Sequence, residues 1–395
     1  MESLKDVRGE IDRIDEELVA LFVRRQGLLN KVAAAKVAAG GPITDPARER
    51  EILARVTGEV PPEYENGARL LFSTLFSISK ARQRALVKGT SPLVREIAAK
   101  CDAAPARFPT HALVACCGTE GSYAQQAVSR LFKTPSIVYF GGFENVFEAV
   151  EQGLCPYGVL PVENSAAGSV AQVYDLMREH KFHIVRALRL KVDHVILAPA
   201  GVKLADVKEV HSHPHALAQC SKFFRAHPGM KQVPESNTAV AAKMIAGQGG
   251  FGGRGGEDAS QTRGAAAVIA SRACAELYGL DVIAEGIQDA VFNYTRFICI
   301  AKDIEIYPDA NKISLMMSLP HRPGALNQTL SKFAAIDVNL TKLESRPQPG
   351  MDFEFRFIFD LEASPKDAAL RVLLSELSQD PEIEHFDFLG AYAEG

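Results

Sequence analysis

Between Leu4 and Ala39 the chain keeps a helical beat. Leu4, Val7, Ile11, Ile14, Leu18 and Leu21, and then Leu28, Val32 and Ala35, recur at spacings of three and four, which places them on one stripe of a long helix. The beat after Leu21 falls on Arg25, a guanidinium where an apolar side chain is expected. After a break at GGPITDP the pattern predicts a second helix from Pro46 to Val56 and a third from Glu63 to Val87, so residues 1–88 read as an all-α domain. Such a unit has too little apolar surface of its own to cover the long stripe, and a homodimer is expected, with pairing into a higher oligomer left open.

Residues 89–110 mix Pro, Ala and charge and read as a linker. From 111 to 302 short apolar strands (ALVACC, SIVYF, YGVLPV, HIVRALRL, HVILAP) alternate with amphipathic helices expected at 122–132, 143–152 and 169–180, which predicts an α/β domain. A glycine-rich stretch, 247–264, reads as an inserted surface loop and not as a phosphate loop, because no strand leads into it and no GK[ST] closes it. From 311 to 395 the order is strand, helix, strand, strand, helix, strand, a ferredoxin-like βαββαβ unit of α+β class.

Charge and cysteine content narrow the function. With 44 basic and 48 acidic residues the net charge is −4, which argues against nucleic acid as a partner. The charged start MESLKDVRGE and the lack of a long apolar run predict a cytoplasmic protein without a membrane segment. Seven cysteines without a C-x-x-C pair read as reduced thiols. His211, His213, His215 and Cys220 lie close in sequence, but Pro214 interrupts them and no closed ligand set follows, so no metal is expected.

Several polar residues sit where the helical pattern calls for apolar ones. Arg25 and Lys36 are eleven residues apart, about three turns, and so share nearly one face. A guanidinium in an apolar seam survives only where an anion meets it, and that anion is either an internal carboxylate or a ligand. Arg8 lies about 100° around the same helix, pointing toward a neighbouring copy. Asp45, Arg48 and Glu49 cluster at the start of the second helix, and Ser79 and Gln83 form an i, i+4 polar pair in the third. Together these residues resemble the helical chorismate mutase family from Leu4 to Ala85. The resemblance implies that Arg25 and the partner chain's Arg8 hold the two carboxylates of chorismate, with Asp45, Arg48 and Ser79 completing the substrate contacts. It also implies that Lys36 and Gln83 bond the ether oxygen and that Glu49 takes the ring hydroxyl. A unimolecular rearrangement needs no cofactor; it needs cations and donors placed where charge develops.

In the α/β part, GTEGSYAQQA, ENSAAGSVAQV and ESNTAVAAKM each put small polar residues before a helix, where free N–H groups attract carboxylates and where ordinary capping is the plainer reading. In VFNYTRFICIA, Thr295 and Arg296 interrupt an apolar strand. In this order the motifs, with SHPHALAQC, are similar to the prephenate dehydratase domain. That implies a fold of two α/β lobes, as in periplasmic binding proteins, with Thr295 assisting departure of the ring hydroxyl of prephenate. Ser122, Asn164, Ser165, Thr238 and Arg296 are then expected at the substrate. The chain carries Thr119, Ser122 and Ala124 where that family commonly has Pro, Thr and Ser.

In the last unit, GALNQTL and LESRP resemble the ACT domain. The resemblance implies a phenylalanine site between subunits, formed by Gly324, Ala325, Leu326, Glu344, Ser345, Arg346 and Pro347, although Gly324 is also an ordinary turn glycine. The expected whole is a bifunctional enzyme from chorismate through prephenate to phenylpyruvate, feedback-regulated by phenylalanine. Two alternatives stand beside it: an amino-acid-sensing binding protein, and an enzyme retaining only one activity.

Overall fold

A computed structural model of the chain describes residues 3–39, 44–249, 265–290, 292–347 and 355–395. Most of the glycine-rich stretch and the loop after Ala39 lie outside the described residues. The chain forms two compact units, Met1–Ala99 with Met316–Phe386, and Lys100–Leu315 with Asp387–Gly395.

The helical part consists of α1 (Leu4–Ala39), α2 (Pro46–Gly58) and α3 (Glu65–Lys88), followed by α4 (Pro92–Asp102). Asp45 caps α2 by accepting the Arg48 N–H at 3.0 Å, with Pro46 in the first turn, and α3 ends on Gly89 at φ 67°. Half of the expected linker is this fourth helix. Its Val94, Ile97 and Cys101 are buried at helical spacing, and Ser91 Oγ accepts the Val94 N–H at 3.3 Å. Along α1 only Leu29 and Ala33 are buried apolar residues among those described, while Ile11, Ile14, Leu18 and Leu21 are each more than half exposed.

The second unit holds two sheets. The first contains β1 (Leu113–Cys117), β2 (Ser136–Phe140), β3 (Tyr157–Asn164), β4 (Gly168–Ser169) and β5 (His183–Lys191), with helices α5 (Tyr123–Leu131), α6 (Phe143–Glu151) and α7 (Ala171–His180) between them. The second contains β6 (His194–Ala198), β7 (Val207–Ser212), β8 (Lys231–Pro234), β9 (Ala265–Ser271) and β10 (Asp281–Ala284) in the order β10-β6-β9-β7-β8. Its helices are α8 (Pro214–Ala218), α9 (Ser221–Ala226), α10 (Thr238–Gly249) and α11 (Ala273–Tyr278). The chain then returns to the first sheet as β11 (Tyr294–Ala301), antiparallel between β3 and β5. Two lobes therefore share two crossings, one after β5 and one before β11, tied by Val192 N–H to Asn293 O at 2.8 Å. Each lobe has its own buried core, one around Val114, Phe132 and Phe297 and the other around Leu197, Ala241 and Val268.

The remaining elements are β12 (Lys312–Ser318), α12 (Ala325–Ala334), β13 (Asn339–Pro347), β14 (Phe355–Glu362), α13 (Ala368–Ser378) and β15 (Phe386–Glu394), the expected βαββαβ order. β13 and β14 pair antiparallel from Asn339↔Glu362 to Pro347↔Phe355. The end of β15 lies parallel to β5, and a Cβ on Gly390 would stand 2.2 Å from Ile184 O, so only glycine permits this approach.

Candidate active sites

The first site lies where α1 meets α3. Arg25 Nη1 donates to Ser79 Oγ at 2.5 Å and to Leu75 O at 3.4 Å, and Ser79 in turn donates to Leu75 O. Both partners are neutral, no carboxylate among the described residues pairs with Arg25, and burial lowers its pKa. A half-buried cation without an anion is costly unless a ligand supplies one. One turn on, Gln83 is buried; its Nε2 donates to Ser79 O at 3.3 Å, while Oε1 has no partner in its buried position. Lys36 is half-buried on α1 and Arg8 is exposed.

The other members of this expected set are used differently. Asp45 is the α2 cap, and Arg48 is exposed and held 2.7 Å from Glu51, a pairing that raises its pKa. Each is engaged within its own helix, and Arg25 bonds Ser79 and Leu75 instead. Glu49 is met by Lys80, whose Nζ lies 3.3 Å from one carboxylate oxygen and 3.4 Å from the other. Lys80 was not expected. It follows Ser79 directly, and so points about 100° away from the Ser79/Gln83 face.

The second site lies at the lobe crossings. Asn164 ends β3 and Thr295 is the second residue of β11, and the two are ladder partners, so their side chains share one face of the sheet. Asn164 Oδ1 accepts the N–H groups of Ala166 and Ala167 at 2.9 and 3.0 Å, which fixes the amide orientation. Its Nδ2 must then be the donor, to Thr295 Oγ1 at 2.9 Å and to Asn293 Oδ1 at 2.8 Å. Asn293 passes the polarity on, giving its Nδ2 to Gln219 Oε1 at 3.0 Å, where His194 Nε2 also arrives at 3.0 Å. Gln219 Oε1 can only accept, so His194 carries its proton on Nε2. Burial lowers the pKa of His194 and keeps it neutral, and its Nδ1 lies 3.3 Å from the Tyr123 hydroxyl at the start of α5.

Two further expected residues have other partners here. Neighbouring strand residues face opposite sides, so Thr295 on the Asn164 face sends Arg296 into the sheet's other face. There Arg296 Nε is 2.7 Å from Glu394 and its guanidinium bonds the Tyr392 hydroxyl, leaving 6% of the residue exposed. Arg296 is thus engaged in an internal ion pair. Ser165 likewise spends its hydroxyl on the backbone, donating to Phe292 O at 3.3 Å and accepting from Tyr294 N at 3.0 Å, which pins the turn beside Thr295.

Two helix starts stand close together in the same unit. Ser122 caps α5, accepting the Gln125 N–H at 3.3 Å, and Asn237 Oδ1 accepts the Ala239 N–H at 2.8 Å where Thr238 opens α10. A Cβ on Gly118 would lie 3.3 Å from Ser122 Oγ and 3.4 Å from Asn237 Nδ2, so this glycine at φ +107° lets the two starts converge. His211 is paired with Glu235 at 3.0 Å, and His213 caps α8.

In the C-terminal segment Gly324, at φ +83° with open space around it, is glycine for its backbone angle and not for close packing. No side chain caps α12 behind it. Ala325 and Leu326 line a cavity of about 330 Å³ with His321, Arg322, Phe355 and Phe357. Glu344, Ser345, Arg346 and Pro347 end β13, with Glu344 3.2 Å from Lys342.

Comparison with known proteins adds to this geometry. Residues 7–84 match the family model of chorismate mutase type II, and residues 114–305 match that of prephenate dehydratase. The bifunctional chorismate mutase/prephenate dehydratase of Aquifex aeolicus is 30% identical over 394 residues, covering 99% of this chain and 98% of that protein. Arogenate dehydratase/prephenate dehydratase 2 of Arabidopsis thaliana is 36% identical over 274 residues, covering 66% and 68% respectively. Among solved structures, the prephenate dehydratase of Arthrobacter aurescens in complex with L-Phe gives a TM-score of 0.60 at 27% identity, covering 71% of this chain and 90% of that one. GqqA, described as a quorum quenching acylase, gives 0.61 at 28%, covering 72% and 98%.

Proposed function

Because the chain belongs to the bifunctional chorismate mutase/prephenate dehydratase family, we propose how its residues divide two consecutive reactions between two sites. In the helical segment, Arg25 and Arg8 of a second copy bind the carboxylates of chorismate, and Lys36 and Gln83 serve the ether oxygen as the C–O bond breaks. The absence of any described carboxylate at Arg25 supports this role. Gln83 Nε2 is engaged with Ser79 O at 3.3 Å while its Oε1 is buried without a partner, so donation to the ether requires release of that bond. Glu49 receives the ring hydroxyl. Asp45 and Arg48 act on the fold of α2 unless substrate draws them in, and the exposed α1 stripe supports a homodimer.

The dehydratase reading rests on one observation, the direction of the bond from Asn164 to Thr295. Since Thr295 Oγ1 accepts from Asn164, its own proton is free to be given to the departing ring hydroxyl of prephenate. Carbon dioxide leaves from the other end of the ring, and the electrons released form the aromatic product, so the protein supplies orientation and one proton and needs no cofactor. The helix starts at Ser122 and Thr238, with their free N–H groups, suit the substrate carboxylates.

The uncapped start of α12 behind Gly324 suits the carboxylate of an amino acid, and the β13 end with Glu344 to Pro347 completes the proposed effector site for phenylalanine. A cytoplasmic location accords with a chain in which no described helix is long and apolar enough to cross a membrane. The experiment is to supply chorismate and follow prephenate and phenylpyruvate separately, with and without phenylalanine. Both products, with phenylpyruvate suppressed by phenylalanine, are expected. Prephenate without phenylpyruvate would remove the dehydratase assignment, and unchanged rates would remove the effector site.

A further inference from the structure

Lys80 is a charged residue of the helical segment to which the two reactions give no role. It is mostly buried, with 17% of its side chain exposed, and it stands between two carboxylates from different parts of one compact unit. Glu49 on α2 lies 3.3 Å away and Glu382, after α13, lies 4.0 Å away. Glu382 is held more closely by Arg322, at 2.7 Å, in the loop that leads into Gly324. The same cavity, about 290 Å³, is lined by Glu49, Lys80, Arg84, Arg322, Asp380 and Glu382. The neighbouring Arg84–Asp380 pair, at 2.8 Å and almost fully buried, fixes α3 against this part of the chain, so the distances from Lys80 to its two acids are set by a rigid joint.

We propose that Lys80 is a positioning residue for the mutase reaction, orienting Glu49 through an ammonium that Glu382 competes for, so that the Arg322 loop sets how firmly Glu49 is held. A Glu side chain has three rotatable bonds, and an ammonium contacting both carboxylate oxygens removes most of that freedom before substrate arrives. One ammonium cannot serve both acids equally. While Arg322 satisfies Glu382, Lys80 stays with Glu49; when Arg322 is drawn away, Glu382 is left to pull on Lys80.

This inference rests on the proposed contact between Glu49 and the ring hydroxyl of chorismate. That hydroxyl is present in both substrate and transition state, so loosening Glu49 weakens the binding of both alike and raises KM more than it lowers kcat. The test is steady-state conversion of chorismate by the full chain and by Lys80→Met, Lys80→Arg and Glu382→Gln, with prephenate turnover of the same preparations as the folding control. Lys80→Met is expected to raise KM roughly tenfold with kcat within about twofold, and Lys80→Arg is expected to restore most of it. Glu382→Gln is expected to leave KM at or below that of the parent, because the competitor is gone. Parental KM in Lys80→Met overturns the positioning role, and a raised KM in Glu382→Gln overturns the competition. A parent chain that does not rearrange chorismate would instead defeat the mutase reading itself and take this inference with it.

Discussion

Asn164 Nδ2 donates to Thr295 Oγ1 across 2.9 Å, and the donor cannot be reversed, because the other end of the same amide already accepts two backbone N–H groups. The threonine's own proton is thereby left for another acceptor. Thr295→Ala is expected to lower dehydratase kcat by about 10²- to 10⁴-fold, the usual worth of a positioned acid, and to leave chorismate turnover intact. Thr295→Ser, which keeps the proton, should retain much of the activity. Equal losses in alanine and serine variants, measured as phenylpyruvate formed from prephenate, would mean that the methyl group matters and the proton does not.

Arg25 separates ligand binding from structural need. Its partners are Ser79 and a backbone carbonyl, and neither repays the desolvation of a guanidinium. Arg25→Met should therefore abolish mutase activity, by about 100-fold or more, while the melting temperature holds or rises. A marked fall in melting temperature would assign the residue to the fold.

The Arg84–Asp380 pair is the opposite case. Their side chains are 6% and 11% exposed, so removing one partner strands a buried charge. Arg84→Met is expected to cost about 3–5 kcal/mol, read from urea unfolding, whereas a double change to apolar residues of similar size should recover much of that.

Acid should weaken the second unit through His194. Burial, acting against Gln219 and Asp193, lowers its pKa below the ordinary 6.5. The unfolded chain therefore takes up the proton first, so the stability this residue contributes is complete above the unfolded value and is lost as pH falls from there through the folded one. Chemical unfolding measured at several pH values across this window should give a slope that His194→Gln flattens. An identical slope in the variant would place the titration elsewhere.

Pairing through α1 predicts complementation. If Arg8 serves the other copy, a chain with Arg8→Ala and a chain with Lys36→Ala are each inactive alone. Mixed dimers then contain one complete site, and random exchange should restore about a quarter of the mutase activity. No recovery, or a monomer by sedimentation, would refute the shared site.

The long helix, the alternating lobes and the βαββαβ order were legible because each rests on a period that local physics imposes. Thr295 was legible as a polar interruption of a buried strand, and strand alternation alone predicts that the adjacent Arg296 faces apart from it. The helix inside the expected linker was less legible, because the composition hid the Val94, Ile97, Cys101 spacing that makes α4. Asn293 and Gln219 lay inside the quoted motifs without being singled out, and His194 carried no local mark. They come from three separate segments, and what joins them is amide polarity, which exists only once the chain is folded. Lys80 stayed hidden because its second partner lies some three hundred positions further along.

Asn293 belongs both to the segment that carries the chain from one lobe to the other and to the line of amides ending on Thr295. Any scissoring of the lobes must tug on that amide. A change at the crossing would therefore reach the Thr295 hydroxyl through a single intervening side chain, Asn164.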